Sequence, residues 1–121
     1  MENFFNRYRD AFDAFDPETI SSFYTLPCST SDNDGLNVFS DSKSLINKLK
    51  LNCQSMKSMG CISSKFNILQ TIDMGTLAKS IHVAWQVKTK SSNIEFRASY
   101  TLQKVEKDWR IFNVHVYPGC Y

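Results

Sequence analysis

Apolar and polar residues alternate with a period of two over most of the second half of the chain. In residues 77–90 one face carries Ile81, Val83, Trp85 and Val87, and in 94–105 it carries Phe96, Ala98, Tyr100 and Leu102. The opposite face carries His82, Gln86, Glu95, Arg97, Ser99, Thr101 and Gln103. Such alternation predicts strands with one buried side. A third strand is predicted over 109–117. There either Trp109 and Ile111 point inward, which places Asn113 and His115 inside too, or Phe112, Val114 and Val116 do. The periodicity supports both. Ser91-Ser92-Asn93 and Glu106-Lys107-Asp108 are hairpin-length linkers, so these neighbours pair antiparallel. Residues 62–74 share the same period, with Phe66, Ile68, Ile72 and Met74 on the apolar side. Leu69 and Gln70 fall out of phase, which predicts either a bulge or a polar point on the inner face.

The first half follows a different period. Phe4, Tyr8, Phe12 and Phe15 recur at helical spacing and predict a helix over 3–15. Asp16-Pro17 then restarts the chain, Asp16 as a cap and Pro17 at the first helical position. A short second helix is expected to reach about Tyr24, burying Ile20, Phe23 and Tyr24. Two short strands, 25–32 and 36–40, flank Asp34-Gly35, a pair suited to a tight hairpin. Ser40-Asp41-Ser42 offers caps for a third helix over 42–58, in which Leu45, Leu49, Cys53 and Met56 share a face and Gly60 ends the run. Helices preceding a long antiparallel sheet define a single α+β domain over residues 1–121, with the helices on the sheet's apolar face.

Composition narrows this picture. Nine Phe, five Tyr and two Trp in 121 residues can fill a core or line a cavity, since each ring buries about 150–250 Å². The net charge of +2 lacks the basic excess of a nucleic-acid binder. Lys43, Lys48, Lys50 and Lys57 are expected on the solvated face of the third helix. No apolar run approaches the roughly 18–20 residues that span a bilayer, and the opening residues lack a secretion signal, so a cytoplasmic protein is expected. Cys28, Cys53, Cys61 and Cys120 have no C-x-x-C pairing and are expected to remain thiols, with no metal site and no cofactor.

The order of elements, with Phe5-Asn6-Arg7-Tyr8 and the segment Ala11 to Pro17, resembles the nuclear transport factor 2-like superfamily. Its SnoaL-like and ketosteroid isomerase-like branches look nearest. Phe23-Tyr24-Thr25-Leu26-Pro27, Val38-Phe39-Ser40-Asp41 and Asp108-Trp109-Arg110-Ile111 add to the resemblance, which covers essentially the whole chain. It implies a cone-shaped sheet wrapped around a helical lid, an internal pocket, and a homodimer formed through the outer sheet face. Functions in the superfamily range from isomerases and dehydratases to non-catalytic modules, so fold does not determine activity.

The sharpest chemistry the resemblance implies is proton transfer alpha to a carbonyl, with a carboxylate base and a tyrosine and an acid donating to the oxyanion. Tyr8 matches the tyrosine by its place on the first helix, and Asp32 falls near the base. The second acid has no counterpart, because Ala98 or Ser99 stands in its position. Losing one such donor removes about 3–4 kcal/mol of transition-state stabilisation. Read by themselves, Tyr8 lies on a core stripe and Asp32 in a turn. Asp32-Asn33-Asp34-Gly35 also opens like a calcium loop, but Lys43 stands where the closing glutamate belongs. His115 is a candidate acid or base if it lines the mouth of the cone. Isolated glycines leave no phosphate-cradling loop.

The first expectation is therefore a homodimeric binder of a small hydrophobic or carbonyl-bearing molecule, with Tyr8, Phe12, Phe39, Trp85, Tyr100 and Trp109 as pocket residues. His82, Gln86, Arg97 and Thr101 are the expected dimer face. An isomerase or dehydratase using Asp32 and Tyr8 is the second reading. A structural or dimerisation module plugged by its own side chains is the third.

Overall fold

The computed structural model describes residues 1–121. Helices α1 (Glu2–Asp13), α2 (Pro17–Ser21) and α3 (Ser42–Ser58) accompany six strands: β1 (Tyr24–Asp32), β2 (Gly35–Phe39), β3 (Cys61–Asp73), β4 (Ala78–Thr89), β5 (Asn93–Val105) and β6 (Asp108–Pro118). The strands form one curved, unclosed sheet in the order β2-β1-β6-β5-β4-β3. It is mixed rather than wholly antiparallel, because β1 runs parallel to β6. The hairpin logic that sets β3–β6 does not reach this pair, whose strands are separated by most of the chain.

Local chemistry sets the element boundaries. Asp16 accepts from the Thr19 N–H at 3.2 Å and caps α2, and Asp41 accepts from the Ser44 N–H at 2.8 Å and caps α3. α1 stops at Asp13, and Phe15 beyond it takes a left-handed backbone with φ 53°. α2 is shorter than the sequence suggests. Tyr24 opens β1 instead, because the Ile111 N–H donates to the Phe23 carbonyl and draws the chain onto β6.

Two bulges settle the phases left open by periodicity. In β3 the register slips between Ile68 and Gln70, so Leu69 is the extra residue and Gln70 faces outward opposite His82. In β6 Leu102 pairs with Ile111 but Thr101 pairs with Asn113, leaving Phe112 unpaired and 37% exposed. Both alternatives for the last strand are therefore half correct. Ile111 is inward before the bulge, Val114 after it, and His115 lies outside.

The core fills the hollow between the helices and the sheet's inner face. Phe5, Ile20, Leu45, Ile81, Val83, Leu102 and Ile111 are its largest fully buried side chains. α1 is pinned across the sheet by Asp13, whose Oδ2 accepts from the Ser64 N–H of β3 at 3.1 Å. On α3, Lys43, Lys50 and Lys57 are exposed, whereas Lys48 is half-buried and faces the hollow. Toward the end of β3, Ile72 and Met74 are exposed rather than buried, since the Leu69 bulge reverses the facing of Ile72.

Candidate functional site

The core does not fill the hollow completely. A cavity of about 380 Å³ opens between α1, α3 and the inner face of all six strands. Helical spacing brings Tyr8 and Phe12 to one side of it, and strand alternation brings Trp85 and Tyr100 to another. Phe39, Phe96 and Met56 extend the apolar wall. Of the expected pocket residues, Tyr8, Phe12, Phe39, Trp85 and Tyr100 line this space.

Trp109 does not. It shares the inner face but lies seven residues from Val116, roughly 23 Å along the strand at about 3.3 Å per residue. There it sits beneath the ammonium groups of Lys79 and Lys104, at 5.1 and 5.8 Å from the ring centre.

The floor of the cavity is a group of phenols. The Tyr8 and Tyr24 hydroxyls are hydrogen-bonded at 2.6 Å, and the Trp85 indole N–H donates to the Tyr100 hydroxyl at 3.0 Å. The Tyr8 and Tyr100 rings meet edge to face with centroids 5.9 Å apart. Burial pushes all three phenols above their ordinary range, and the neighbouring phenols push Tyr8 further. All three are thus held as neutral donors. The Tyr8–Tyr24 bond uses one of the three hydroxyl protons, and the Tyr100 hydroxyl accepts from Trp85, so at least one O–H remains for a guest.

Tyr24 lies outside the expected pocket set, because periodicity alone places it in the core at the end of the second helix. Its place depends on the β1–β6 pairing, which leaves no local signal in the sequence.

Charge in the lining is limited to two side chains. Asp32 and Lys48 are the cavity's only charged lining residues. Asp32 shares the inward phase of β1 with Cys28 and Thr30, but its side chain is exposed and its Oδ1 accepts from the Asp34 N–H at 2.8 Å. No hydrogen bond connects it with Tyr8. Asp32-Asn33-Asp34-Gly35 forms the β1–β2 turn, and no three His, Cys, Asp or Glu side chains come together to hold a metal. All four cysteines are free.

His115 is outside, its Nδ1 2.7 Å from the Ser31 hydroxyl. It is absent from the cavity lining. The outer face also holds His82, Gln86, Arg97 and Thr101, all half-buried by their neighbours. His82 Nε2 lies 3.3 Å from the Ser99 hydroxyl, and Arg97 Nε donates to the Cys120 carbonyl at 3.0 Å. Ser99, which occupies one of the two positions considered for a second acid, therefore faces away from the cavity, and Ala98 is fully buried. No helix is long and apolar enough to cross a membrane.

Solved structures share this architecture at low sequence identity. An NTF-2 like protein of unknown function from Shewanella oneidensis superimposes with a TM-score of 0.80 at 15% identity, covering 95% of this chain and 93% of that one. A domain with a cystatin-like fold from Nostoc punctiforme gives 0.78 at 11% identity, covering 98% and 75%. A ketosteroid isomerase-like protein from Erwinia carotovora atroseptica gives 0.72 at 13% identity, covering 96% and 91%. Likeness at this identity concerns the fold. No curated protein sequence matches the chain. Residues 1–119 match the family described as NTF2-like protein (DUF6841). Its sequence match and its curved sheet over three helices agree, and the chain belongs to that NTF2-like family.

Proposed function

We propose that this chain binds a small, uncharged, largely apolar molecule that carries a hydrogen-bond acceptor such as a carbonyl oxygen. The observation behind this reading is the open apolar cavity with neutral phenols at its floor and at least one O–H to spare. A charged guest would lose its hydration against a wall whose only charges are the half-buried Lys48 and the exposed Asp32. A hydrocarbon would bury surface but leave the spare donor unpaired. A cavity open to solvent also fits a container better than a module plugged by its own aromatics. The four free thiols suit a reducing, cytoplasmic setting.

The test compares tetralone with tetralin, two probes of similar size that differ in one carbonyl. Tetralone is expected to bind more tightly, and Tyr8→Phe to weaken it about three- to tenfold, as loss of one neutral hydrogen bond implies. Tetralin affinity should barely move. Equal losses for both probes, or no binding of either by NMR titration, would overturn the reading.

Asp32 supports a second reading, because it is the cavity's one carboxylate. Proton transfer between a base at the mouth and a phenol at the floor would make the protein an isomerase or dehydratase. The two readings part at Asp32→Asn: binding alone leaves tetralone affinity unchanged, whereas turnover of an enone substrate would collapse.

A homodimer through the outer sheet face accompanies the first reading. His82, Gln86, Arg97 and Thr101 offer donors and acceptors there that a second copy can meet in self-complementary fashion. Light scattering at micromolar concentration should give twice the chain mass, and Thr101→Lys should return it to one. A monomeric wild type refutes the dimer.

A further inference from the structure

A second concavity, of about 590 Å³, lies at the other end of the strands, where the start of α1 meets the beginnings of β4 and β6. Its chemistry is opposite to that of the phenol cavity. Arg7, Lys79, Lys107 and Arg110 line it, with Asp108 as the one carboxylate among the lining residues. Lys104 adds a fifth cation beside Trp109. Asp73 lies 3.5 Å from Lys79, and the exposed Glu106 sits in the adjoining turn. Five of the chain's fourteen basic residues thus gather at one end of a protein whose net charge is only +2.

The cations are held largely by aromatic faces rather than by carboxylates. The Arg7 guanidinium lies 5.7 Å from the Phe23 ring centre, and Lys79 and Lys104 lie against Trp109. Cation–π contacts orient a cation without neutralising it, so its charge stays available to a guest. Arg110 Nε is buried and has no hydrogen-bond partner within the protein. A buried donor left this way calls for an acceptor.

We infer that this groove is a binding site for a small phosphate-bearing molecule. The Arg7 guanidinium and several ammonium groups around one concavity, with Arg110 among its lining residues, suit the several oxygens and multiple charge of a phosphate group better than a single carboxylate. The recess is bounded by a helix and a sheet, and the modest overall charge does not favour a long polyanion.

Inorganic pyrophosphate is the probe, titrated at fixed ionic strength while the two indole N–H resonances are followed. Trp109 reports on the groove, and Trp85 on the distant phenol cavity. A saturable shift of Trp109 with Trp85 unmoved is expected. The double variant Arg7→Gln, Lys107→Gln, both exposed side chains, should weaken it at least tenfold. Lys88→Gln with Lys90→Gln, near the other end of β4, should leave it unchanged. A linear drift matched by sodium chloride, an unaltered affinity in the first variant, or an equal loss in the second would each overturn the inference. Tetralone binding plays no part in these outcomes, so the two sites stand or fall separately.

Discussion

A Phe5→Ala variant is expected to lose about 3–5 kcal/mol of folding stability, the usual cost of emptying a phenylalanine site in a packed core. Phe5 is fully buried and its ring meets those of Phe4, Tyr8, Phe66 and Tyr100, with centroids between 5.0 and 6.2 Å. It thereby ties α1 to both β3 and β5. Small domains have only about 5–15 kcal/mol in total, so this single truncation would remove a large share. It also loosens the helix that delivers Tyr8, so tetralone affinity should fall with stability. Urea denaturation of the variant measures the first effect. As a control, Leu51→Ala on the exposed side of α3 should stay within about 0.5 kcal/mol of wild type. A Phe5→Ala loss below about 1 kcal/mol would mean that α1 does not seat on the sheet as described.

Alkaline solution should produce the second large effect. Burial raises the phenols of Tyr8, Tyr24 and Tyr100 in the folded chain, whereas the unfolded chain ionises them near pH ~10. The unfolded state therefore releases its protons first. The stabilisation is complete below about pH 10 and declines as pH rises above it, by up to about 4 kcal/mol per pH unit for three protons. The Cys28 and Cys53 thiols, also raised by burial, begin a weaker decline from about pH 8.5. Denaturation midpoints measured between pH 8 and 11.5 should trace this curve. In Tyr24→Phe the phenol contribution to the slope above pH 10 should shrink by roughly one third. An unchanged slope would show that Tyr24 is not held neutral by the fold.

Much of this architecture was legible from periodicity. The change from helical spacing in Phe4, Tyr8 and Phe12 to alternation in Ile81, Val83 and Trp85 marks which elements line the hollow. Short linkers dictated the β3–β6 meander, and the conflict at Leu69 and Gln70 signalled the bulge that is present. What local pattern could not carry was pairing between distant segments. The parallel contact of β1 with β6 places Tyr24, and with it the phenol group. Phe112 was ambiguous because a bulge inverts the phase midway through a strand, so no single alternation fits β6. Trp109 lies at the other end of the inner face from the cavity, because alternation gives the side of a sheet, not the position along it. The basic groove was hidden for a similar reason: its members at 7, 79, 104, 107 and 110 look like ordinary surface charge until the sheet gathers them.

The place of β6 gives the last strand a disproportionate part in assembly. It is inserted between β1 and β5, so the two early strands and the three middle ones touch the same sheet only through it. Without residues 108–118 the remaining strands can pair only as a two-stranded β1–β2 unit and a three-stranded β3–β5 unit, each with the edge that β6 covers left bare. Pairing of β6 makes the sheet continuous, and the same strand supplies Val114 and Val116 to the wall of the cavity.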